Sequence, residues 1–334
     1  MEKSTGTSVT PPKPRKRFRW LGILLMMGVS LVVALALGEW VCRLAHLGDI
    51  ILYERGMYVE STDPDLAYEL KPGYDGTSYG SEVAVNSMGF RGPECSTEPR
   101  PGVFRVVCVG DSFTFGMGVK YEQAWPARLQ TELPPPAGFR EVEVINAGVS
   151  GYNLIQYCQE IADKVIPLKP HLVVVGLVGN DLAPSFHAER GYLVVPRKKT
   201  TLPIPGKRWL QTHSHLYQFI NMKYQSAWTA TLEKKNPQLA HELTWQDRDQ
   251  KAWAEAQLRL TRMRRELRDR GIQIVVARLL LPENSPLPDI VHHADVPIVP
   301  VEIARQDRLA DGHPNAAGHE SIAQQLAAVL PNFL

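Results

Sequence analysis

The stretch Phe104–Gly116, FRVVCVGDSFTFG, is the part of this chain that most constrains its fold. It begins as a short run of apolar and β-branched residues, which is typical of a strand buried on both faces of a parallel sheet. The run breaks at Gly110, and the polar pair Asp111 and Ser112 follows. Because open α/β sheets bind ligands outside the carboxyl ends of their strands, Ser112 stands where a nucleophile would stand. The same pattern also fits a turn in which Asp111 and Ser112 cap the next helix.

Three later stretches place small and polar residues in related positions. Ile145–Asn153 reads INAGVSGYN and Val173–Leu182 reads VVVGLVGNDL, so each joins a strand-like run to glycine and asparagine. Asp311–His319 reads DGHPNAAGH and lies close to the C-terminus. Because the carboxyl ends of parallel strands meet at one edge of a sheet, we expect polar residues of these stretches to lie near Ser112.

Strand-like and helix-like runs alternate after residue 102, which favours a parallel sheet with helices on both faces. The expected strands are 104–109, 141–145, 172–177, 272–279 and 296–301. The expected helices are 122–133, 154–167, 247–271 and 315–330. The third helix carries an apolar stripe whose members lie three or four residues apart: Trp253, Ala256, Leu260, Met263 and Leu267.

Taken in order, the four blocks resemble the SGNH branch of the GDSL hydrolases, from about Phe104 to the end of the chain. The resemblance implies a three-layer flavodoxin-like SGNH hydrolase fold, with a parallel sheet between two layers of helices. Asn86–Glu94, NSMGFRGPE, also resembles the lead-in found in membrane-anchored members.

The resemblance further implies the mechanism of a serine hydrolase. Ser112 would be the nucleophile, and His313 would be its base, because an imidazole takes up and returns a proton near neutral pH. Asp311 would hold the imidazole in the correct tautomer. The backbone N–H groups of Ser112 and Gly148 and the side-chain amide of Asn180 would form the oxyanion hole.

The position of the acid departs from the usual family pattern, which places an aspartate three residues before the histidine. Ala310 occupies that position here, and Asp311 stands two residues before His313. This spacing resembles the DxH variants found among polysaccharide-acetylating relatives. Asp307 is the alternative acid.

Several of these residues also have simpler interpretations. Gly148 suits a tight turn, and Asn180 followed by Asp181 suits a helix cap. The pair His292–His293 with Asp295 hints at a metal site, but no further ligand motif accompanies it. We therefore expect neither a metal nor another cofactor.

The N-terminus combines a basic tail with an apolar run. Residues 1–19 hold six Lys or Arg against one Glu, so their net charge is +5 and the rest of the chain carries −3. Trp20–Gly38 contains no charged residue and would span about 28 Å as a helix, close to the thickness of a bilayer core. The positive-inside rule then predicts a cytoplasmic tail, an uncleaved single-pass anchor at 20–38 and export of the rest. The alternative is a signal peptide cleaved after Ala34–Ala36.

The remaining sequence suggests two further regions. Residues 39–101 read as a juxtamembrane segment and a small β-rich cap with a strand at Ser81–Val85, and residues 102–334 as the hydrolase domain with an insertion at 183–245. The mildly acidic body does not favour nucleic-acid binding. The four cysteines lack metal-type spacing, and a disulfide at Cys95 stays open.

We therefore expect a serine esterase of the inner membrane, with its catalytic domain on the periplasmic or extracellular side. Its substrate would be an acylated envelope glycan or lipid, with acetyl as the preferred acyl group. An O-acetyltransferase of the same fold is one alternative, because transfer to a sugar hydroxyl needs the same activated serine. A non-catalytic envelope binding protein is the other. The sequence does not indicate an oligomeric state.

Overall fold

The computed structural model describes residues 16–45, 47, 56–182, 187–189, 192–194, 206, 209–210, 213–235, 250–281, 285–309 and 311–334. The chain divides into two compact units, residues 1–51 with 200–228 and residues 52–199 with 229–334. Most of the predicted cytoplasmic tail and much of the predicted insertion lie outside the described residues. The division separates residues 200–228 of that insertion from the hydrolase region and groups them with the N-terminal helix.

The first unit contains helix α1, Lys16–Leu44. Its segment Trp20–Leu44 has a mean hydropathy of 2.5 and is long and apolar enough to cross a membrane, a property that signal sequences share. Its apolar side chains are exposed from Trp20 to Leu37. Such an exposed apolar surface is typical both of a membrane-spanning helix and of a signal sequence.

The described part of the second unit contains the strands of the fold. They are β1 (Tyr58–Glu60), β2 (Tyr68–Leu70), β3 (Asp75–Ser78), β4 (Ser81–Ala84), β5 (Val103–Gly110), β6 (Glu141–Gly148), β7 (Leu172–Val178), β8 (His187–Glu189), β9 (Tyr192–Val194), β10 (Gln273–Leu280) and β11 (Ile298–Pro300). Strands β1 and β2, β3 and β4, and β8 and β9 form separate antiparallel pairs. The strand expected at Ser81–Val85 is therefore one arm of a hairpin.

Five parallel strands form the central sheet in the order β11-β10-β7-β5-β6. Numbered along the sheet-forming strands alone, this order is 2-1-3-4-5, the flavodoxin-like arrangement. The predicted parallel sheet and fold class are confirmed. The order of the strands reverses between β5 and β7, and such a switch point opens a crevice at the carboxyl ends of those two strands.

Helices cover both faces of the sheet. The described helices after α1 are α2 (Ser112–Phe115), α3 (Trp125–Glu132), α4 (Leu154–Glu160), α5 (His215–Lys235), α6 (Gln250–Asp269), α7 (Leu287–His293) and α8 (Ala316–Val329). Val107 and Val109 of β5 belong to an apolar cluster that includes residues of α4 and α6. Val106 and Cys108 alternate with them and belong to a second cluster that includes residues of α3 and α8. Successive side chains of β5 thus point to opposite faces of the sheet, and each face packs against one of the two cores of a three-layer fold.

Three details differ from or complete the sequence-based expectations. The helix expected at 154–167 ends at Glu160 and continues as a π-helical turn and a 3₁₀ turn, since Pro167 cannot donate a helical hydrogen bond. The apolar stripe of α6 is confirmed, with Ala256 and Leu260 among its buried members. All four cysteines are free thiols, so Cys95 forms no disulfide.

Candidate active site

Ser112 lies at the sharp turn between β5 and α2. Asp111 is the N-cap residue, and its Oδ1 accepts a hydrogen bond from Phe113 N at 2.9 Å. The Ser112 hydroxyl does not cap the helix and is left for other partners. Gly110 is required at the turn, because a Cβ there would lie 2.1 Å from Thr114 Oγ1 and 2.9 Å from the carbonyl oxygen of Gly176.

His313 lies against Ser112 although the two residues are far apart in sequence. Its Nε2 is 2.8 Å from Ser112 Oγ, and its Nδ1 is 2.9 Å from Asp311 Oδ2. The backbone N–H of His313 also donates to Asp311 Oδ1 at 3.2 Å. Gly312, between them, has a φ of +98°, which allows the chain to fold the carboxylate back onto the ring.

Asp311, and not Asp307, is the carboxylate that contacts His313. Its hydrogen bond with His313 holds the pKa of Asp311 below its ordinary value, and partial burial opposes that effect. A carboxylate in this state accepts a hydrogen bond from Nδ1–H, which leaves the unprotonated Nε2 able to accept the proton of Ser112. Asp307 instead uses its backbone carbonyl, which accepts a hydrogen bond from Asn315 N at 2.9 Å.

Asn180 directs its amide toward the nucleophile turn. Its Nδ2 lies 3.4 Å from Asp111 Oδ2, the same oxygen that lies 3.2 Å from Ser112 Oγ. Burial raises the pKa of Asp111. The neighbouring Asp181 stabilises the end of β7, because its carboxylate accepts hydrogen bonds from Val178 N and Tyr157 Oη, both at 2.7 Å. Asp181 therefore holds this turn, and the amide of Asn180 faces the site.

Gly148, the expected backbone donor of the oxyanion hole, lies at the end of β6. Its N–H donates to Asn146 Oδ1 at 2.9 Å, within the end of the same strand. A Cβ at this position would lie 2.2 Å from Phe115 N, so glycine is needed here for close packing against α2. In this geometry the N–H of Gly148, which was expected to serve the oxyanion hole, already has a hydrogen-bond partner.

Gly151 follows three residues after Gly148, in the loop after β6, and the sequence analysis did not single it out. It has a φ of +82°, and its N–H makes no hydrogen bond to any described residue. The signal was present in the sequence, since Ile145–Asn153 contains two glycines. Only the loop conformation shows which of their N–H groups is already used.

Two aromatic rings flank His313. The ring of Phe113 is centred 5.0 Å from the imidazole and that of Tyr79 6.2 Å from it. Tyr79 lies at the tip of the β3–β4 hairpin with a φ of +52°, a conformation that is uncommon for tyrosine. The hairpin before the hydrolase sheet therefore contributes to the surroundings of the candidate base.

An apolar cavity of about 390 Å³ adjoins the site. It is lined by Phe113, Val178, Gly179, Asn180, Leu280 and Leu281. The amide of Asn180 is a polar group in an otherwise apolar lining, so the cavity can hold a hydrocarbon group next to a hydrogen-bond donor. Leu280 and Leu281 had no functional signal in the sequence.

The histidine pair considered as a metal site lies on α7. His293 Nδ1 is 2.7 Å from the carbonyl oxygen of Asp289, one turn earlier in the same helix. Within the described ranges, no group of three or more His, Cys, Asp or Glu side chains is arranged to hold a metal ion.

Comparison with known proteins gives a family match over most of the second unit. The GDSL-like lipase/acylhydrolase family matches residues 108–321. No curated protein sequence matches the chain.

Solved structures resemble the chain at low identity. TesA is 20% identical, with coverage of 69% of this chain and 99% of TesA and a TM-score of 0.42. The psychrotrophic esterase EstA from Pseudoalteromonas sp. is 14% identical, with coverage of 69% and 98% and a TM-score of 0.41. A mutant of Axe2, an acetyl-xylooligosaccharide esterase from Geobacillus, is 14% identical, with coverage of 67% and 92% and a TM-score of 0.38.

The family match begins in β5 and ends within α8, so it includes Ser112, Asn180 and His313. On this evidence, the chain belongs to the GDSL-like lipase/acylhydrolase family and is an ester-hydrolysing serine hydrolase.

Proposed function

We propose that Ser112, His313 and Asp311 are the catalytic triad of an esterase that releases an acyl group through an acyl-enzyme intermediate. The observation that carries the proposal is the unbroken series of contacts from Ser112 Oγ to His313 Nε2 at 2.8 Å and from His313 Nδ1 to Asp311 Oδ2 at 2.9 Å. A serine hydroxyl is a weak nucleophile until a base takes its proton, and this series supplies the base and its orienting carboxylate.

In the first half of the reaction, Ser112 Oγ attacks the ester carbonyl carbon while His313 Nε2 accepts the hydroxyl proton. His313 then gives this proton to the departing alcohol, and the acyl group remains on Ser112. In the second half, His313 takes a proton from water, and the hydroxide attacks the acyl-enzyme. Collapse of that intermediate releases the acid, and the proton returns to Ser112 Oγ.

The oxyanion of each tetrahedral intermediate needs fixed donors. We assign these to the backbone N–H groups of Ser112 and Gly151 and to Nδ2 of Asn180. Gly151 replaces Gly148 in this set because the N–H of Gly148 already donates to Asn146. The three donors follow β5, β6 and β7, whose carboxyl ends lie side by side in the sheet.

The acyl group of the substrate is assigned to the apolar cavity beside Asn180, and the alcohol is an envelope glycan or lipid. Acetyl is the preferred acyl group, and the cavity of about 390 Å³ also has room for longer chains. A series of p-nitrophenyl acetate, butyrate and octanoate, compared by kcat/KM, measures this preference. The preference for acetyl is contradicted if the octanoate has the highest kcat/KM.

An O-acetyltransferase is the second candidate, and the Asp311–Gly312–His313 spacing supports it, since it resembles the variants of polysaccharide-acetylating relatives. The two reactions differ only in the acceptor that attacks the acyl-enzyme. Adding a glycan oligosaccharide to the esterase assay separates them, because transfer yields an acetylated sugar, whereas hydrolysis yields acetate alone.

We further propose that α1 is an uncleaved single-pass anchor, that the tail before it is cytoplasmic and that the hydrolase domain is exported. Glu39 lies just after the candidate cleavage site, and its carboxylate accepts hydrogen bonds from Ser214 Oγ at 2.8 Å, His215 N at 3.1 Å and Leu216 N at 3.0 Å. The end of α1 thus caps the start of α5 and is part of a folded unit. The intact mass of the membrane-extracted protein tests this, since cleavage after Ala36 would remove the whole basic tail.

The central experiment treats the detergent-solubilised full chain with a fluorophosphonate probe and locates the adduct by peptide mass spectrometry. The expected adduct is on Ser112, and Ser112→Ala should abolish it. Thr131→Ala, which removes an exposed hydroxyl of α3, is the control and should be labelled at the wild-type rate. Normal labelling of the Ser112→Ala protein would remove Ser112 from the mechanism.

A further inference from the structure

Arg91 is a buried cation close to the nucleophile turn. Its side chain belongs to a residue that is 1% exposed, and it forms no ion pair with any described carboxylate. Burial lowers the pKa of Arg91 to about 10, so the guanidinium is still charged at neutral pH. A buried charge is costly unless polar groups surround it, so its surroundings indicate what it does.

The guanidinium is surrounded by main-chain carbonyl groups of the segment that follows Ser112. Its Nη1 donates to the carbonyl oxygens of Phe115 and Gly116, both at 2.6 Å, and its Nη2 donates to that of Val119 at 2.7 Å. Its Cζ also lies 4.7 Å from the centre of the Phe115 ring. These are short, charge-assisted hydrogen bonds.

The contacted carbonyl groups include those at the C-terminal end of α2, the helix that begins with Ser112. Such carbonyl groups lack helical partners and need other donors. A planar guanidinium can donate to several of them at fixed angles, whereas a lysine ammonium acts as a point charge. Gly116 has a φ of +87°, and a Cβ there would lie 2.8 Å from Arg91 Nη1, so the approach leaves no room for a side chain.

The rest of the Asn86–Glu94 motif shapes the loop that holds Arg91. Asn86 Oδ1 accepts hydrogen bonds from Met88 N and Phe90 N, both at 3.0 Å. Ser87 Oγ donates to Glu94 Oε2 at 2.6 Å. These contacts fold the motif on itself and bury Asn86 and Arg91, of which Arg91 reaches the nucleophile turn.

A second connection joins Arg91 to the sheet. Its backbone N–H donates to the carbonyl oxygen of Asn146 at 3.2 Å, and Asn146 Nδ2 donates to the carbonyl oxygen of Phe115 at 3.2 Å. Asn146 is also the residue that engages the N–H of Gly148. Arg91 and Asn146 therefore hold the same carbonyl group from two sides.

We propose that Arg91 is a positioning residue that fixes the turn carrying Ser112, so that a motif in the segment before the hydrolase sheet sets the reactivity of the site. This proposal rests on the proposed role of Ser112 as nucleophile. The two are separable, since loss of that role would appear as normal labelling of Ser112→Ala whatever Arg91 does.

Arg105 provides a matched control. It is 0% exposed and likewise donates to main-chain carbonyl groups, among them that of Leu168 at 2.7 Å, and it also pairs with Glu143 at 2.6 Å. It lies near the start of β5, at the opposite end of the strand from Ser112. Arg105→Lys therefore changes a buried arginine that donates to main-chain carbonyl groups but lies away from the nucleophile turn.

The experiment compares Arg91→Lys with Arg105→Lys in the full chain. It measures the second-order rate of fluorophosphonate labelling, the kcat and KM for p-nitrophenyl acetate, and the melting temperature. Labelling is expressed per trypsin-resistant molecule and measured well below the melting transition, so that unfolded protein does not count. Arg91→Lys should lower the labelling rate and kcat by about 10- to 100-fold with little change in KM, as expected for a misplaced reacting group.

Arg105→Lys should lower the melting temperature while its labelling rate stays within about twofold of wild type. The proposal is overturned if Arg91→Lys labels at the wild-type rate, or if both variants lose labelling equally. Should Arg91→Lys yield no folded protein, Phe115→Leu removes the ring under the guanidinium, and Phe104→Leu at the start of β5 is its control. Only Phe115→Leu should then slow labelling, and equal rates for this pair would also overturn the proposal.

Discussion

His313 Nε2 and Ser112 Oγ lie 2.8 Å apart, although one residue precedes the last helix and the other follows the first strand of the sheet. The loop that carries His313 is closed by a hydrogen bond from Leu309 N to the His313 carbonyl oxygen at 2.7 Å. It is followed at once by α8, whose N-cap Asn315 accepts hydrogen bonds from Ala317 N and Gly318 N, both at 3.0 Å. The candidate base is thus held by a short closed loop on a capped helix, and not by a free terminal segment.

The first prediction concerns the acid. Asp311→Asn keeps the size of the side chain but removes the charge that favours the correct tautomer of His313, and the corresponding change in a well-studied triad lowers turnover about 10⁴-fold. We expect a loss of about 10²- to 10⁴-fold in kcat for p-nitrophenyl acetate at neutral pH, with slow labelling of Ser112 retained.

Asp307→Asn is the control for this prediction, because the structure uses only the backbone of Asp307 near the site. It should have nearly wild-type kcat. The opposite pattern would show that the acid has been misassigned, and two unaffected variants would indicate a Ser–His dyad.

The second prediction concerns Asn180. Its Nδ2 faces the nucleophile turn, at 3.4 Å from Asp111 Oδ2, and Asp181 holds the turn in which it lies. Loss of one oxyanion donor typically lowers turnover by about 10²–10³-fold, so Asn180→Ala should lower kcat by that amount with a small change in melting temperature. If the melting temperature falls and kcat is unchanged, Asn180 is a structural cap.

The sequence predicted those parts of the fold that depend on local pattern. The apolar run before Gly110 is short and β-branched, and the stripe from Trp253 to Leu267 has a helical period, so each fixes its element without knowledge of neighbours. The alternation of these elements then limits the topology to a few parallel-sheet arrangements.

The sequence could not predict features that depend on which partner a group finds in three dimensions. The sequence alone does not distinguish Gly148 from Gly151. The structure does, because the N–H of Gly148 already donates to Asn146. In the sequence Arg91 has no feature that distinguishes it from other basic residues. Its role is visible only in the structure, where its buried guanidinium donates to the carbonyl oxygens of Phe115 and Gly116. Tyr79 has no pattern that links it to His313, since a hairpin tip and a distant loop meet only in the folded chain.

The last prediction concerns Glu160, a buried carboxyl of α4 that takes no part in the proposed chemistry. Glu160 is 2% exposed, and burial raises its pKa to about 8; nearby Glu69 adds to this effect and Lys164 opposes it. Its pKa is close to 4.5 when unfolded, so between pH 4.5 and pH 8 the folded state keeps a proton that the unfolded state has released. Stability should therefore fall as pH rises through this window, by up to roughly 1.4 kcal/mol per pH unit.

Between pH 6.5 and pH 8, the pH dependence of stability due to Glu160 can be measured without a contribution from the buried His319. Burial lowers the pKa of His319 to about 3, so this histidine contributes an opposite slope only below its unfolded value of about 6.5. Glu160→Gln keeps the volume and removes the titration, so its melting temperature should change less with pH across this range than that of the wild type. Glu132→Gln, at an exposed position, should follow the wild-type curve. A Glu160→Gln curve parallel to the wild type would show that another group titrates in this window, because only removal of the responsible carboxyl can flatten the dependence.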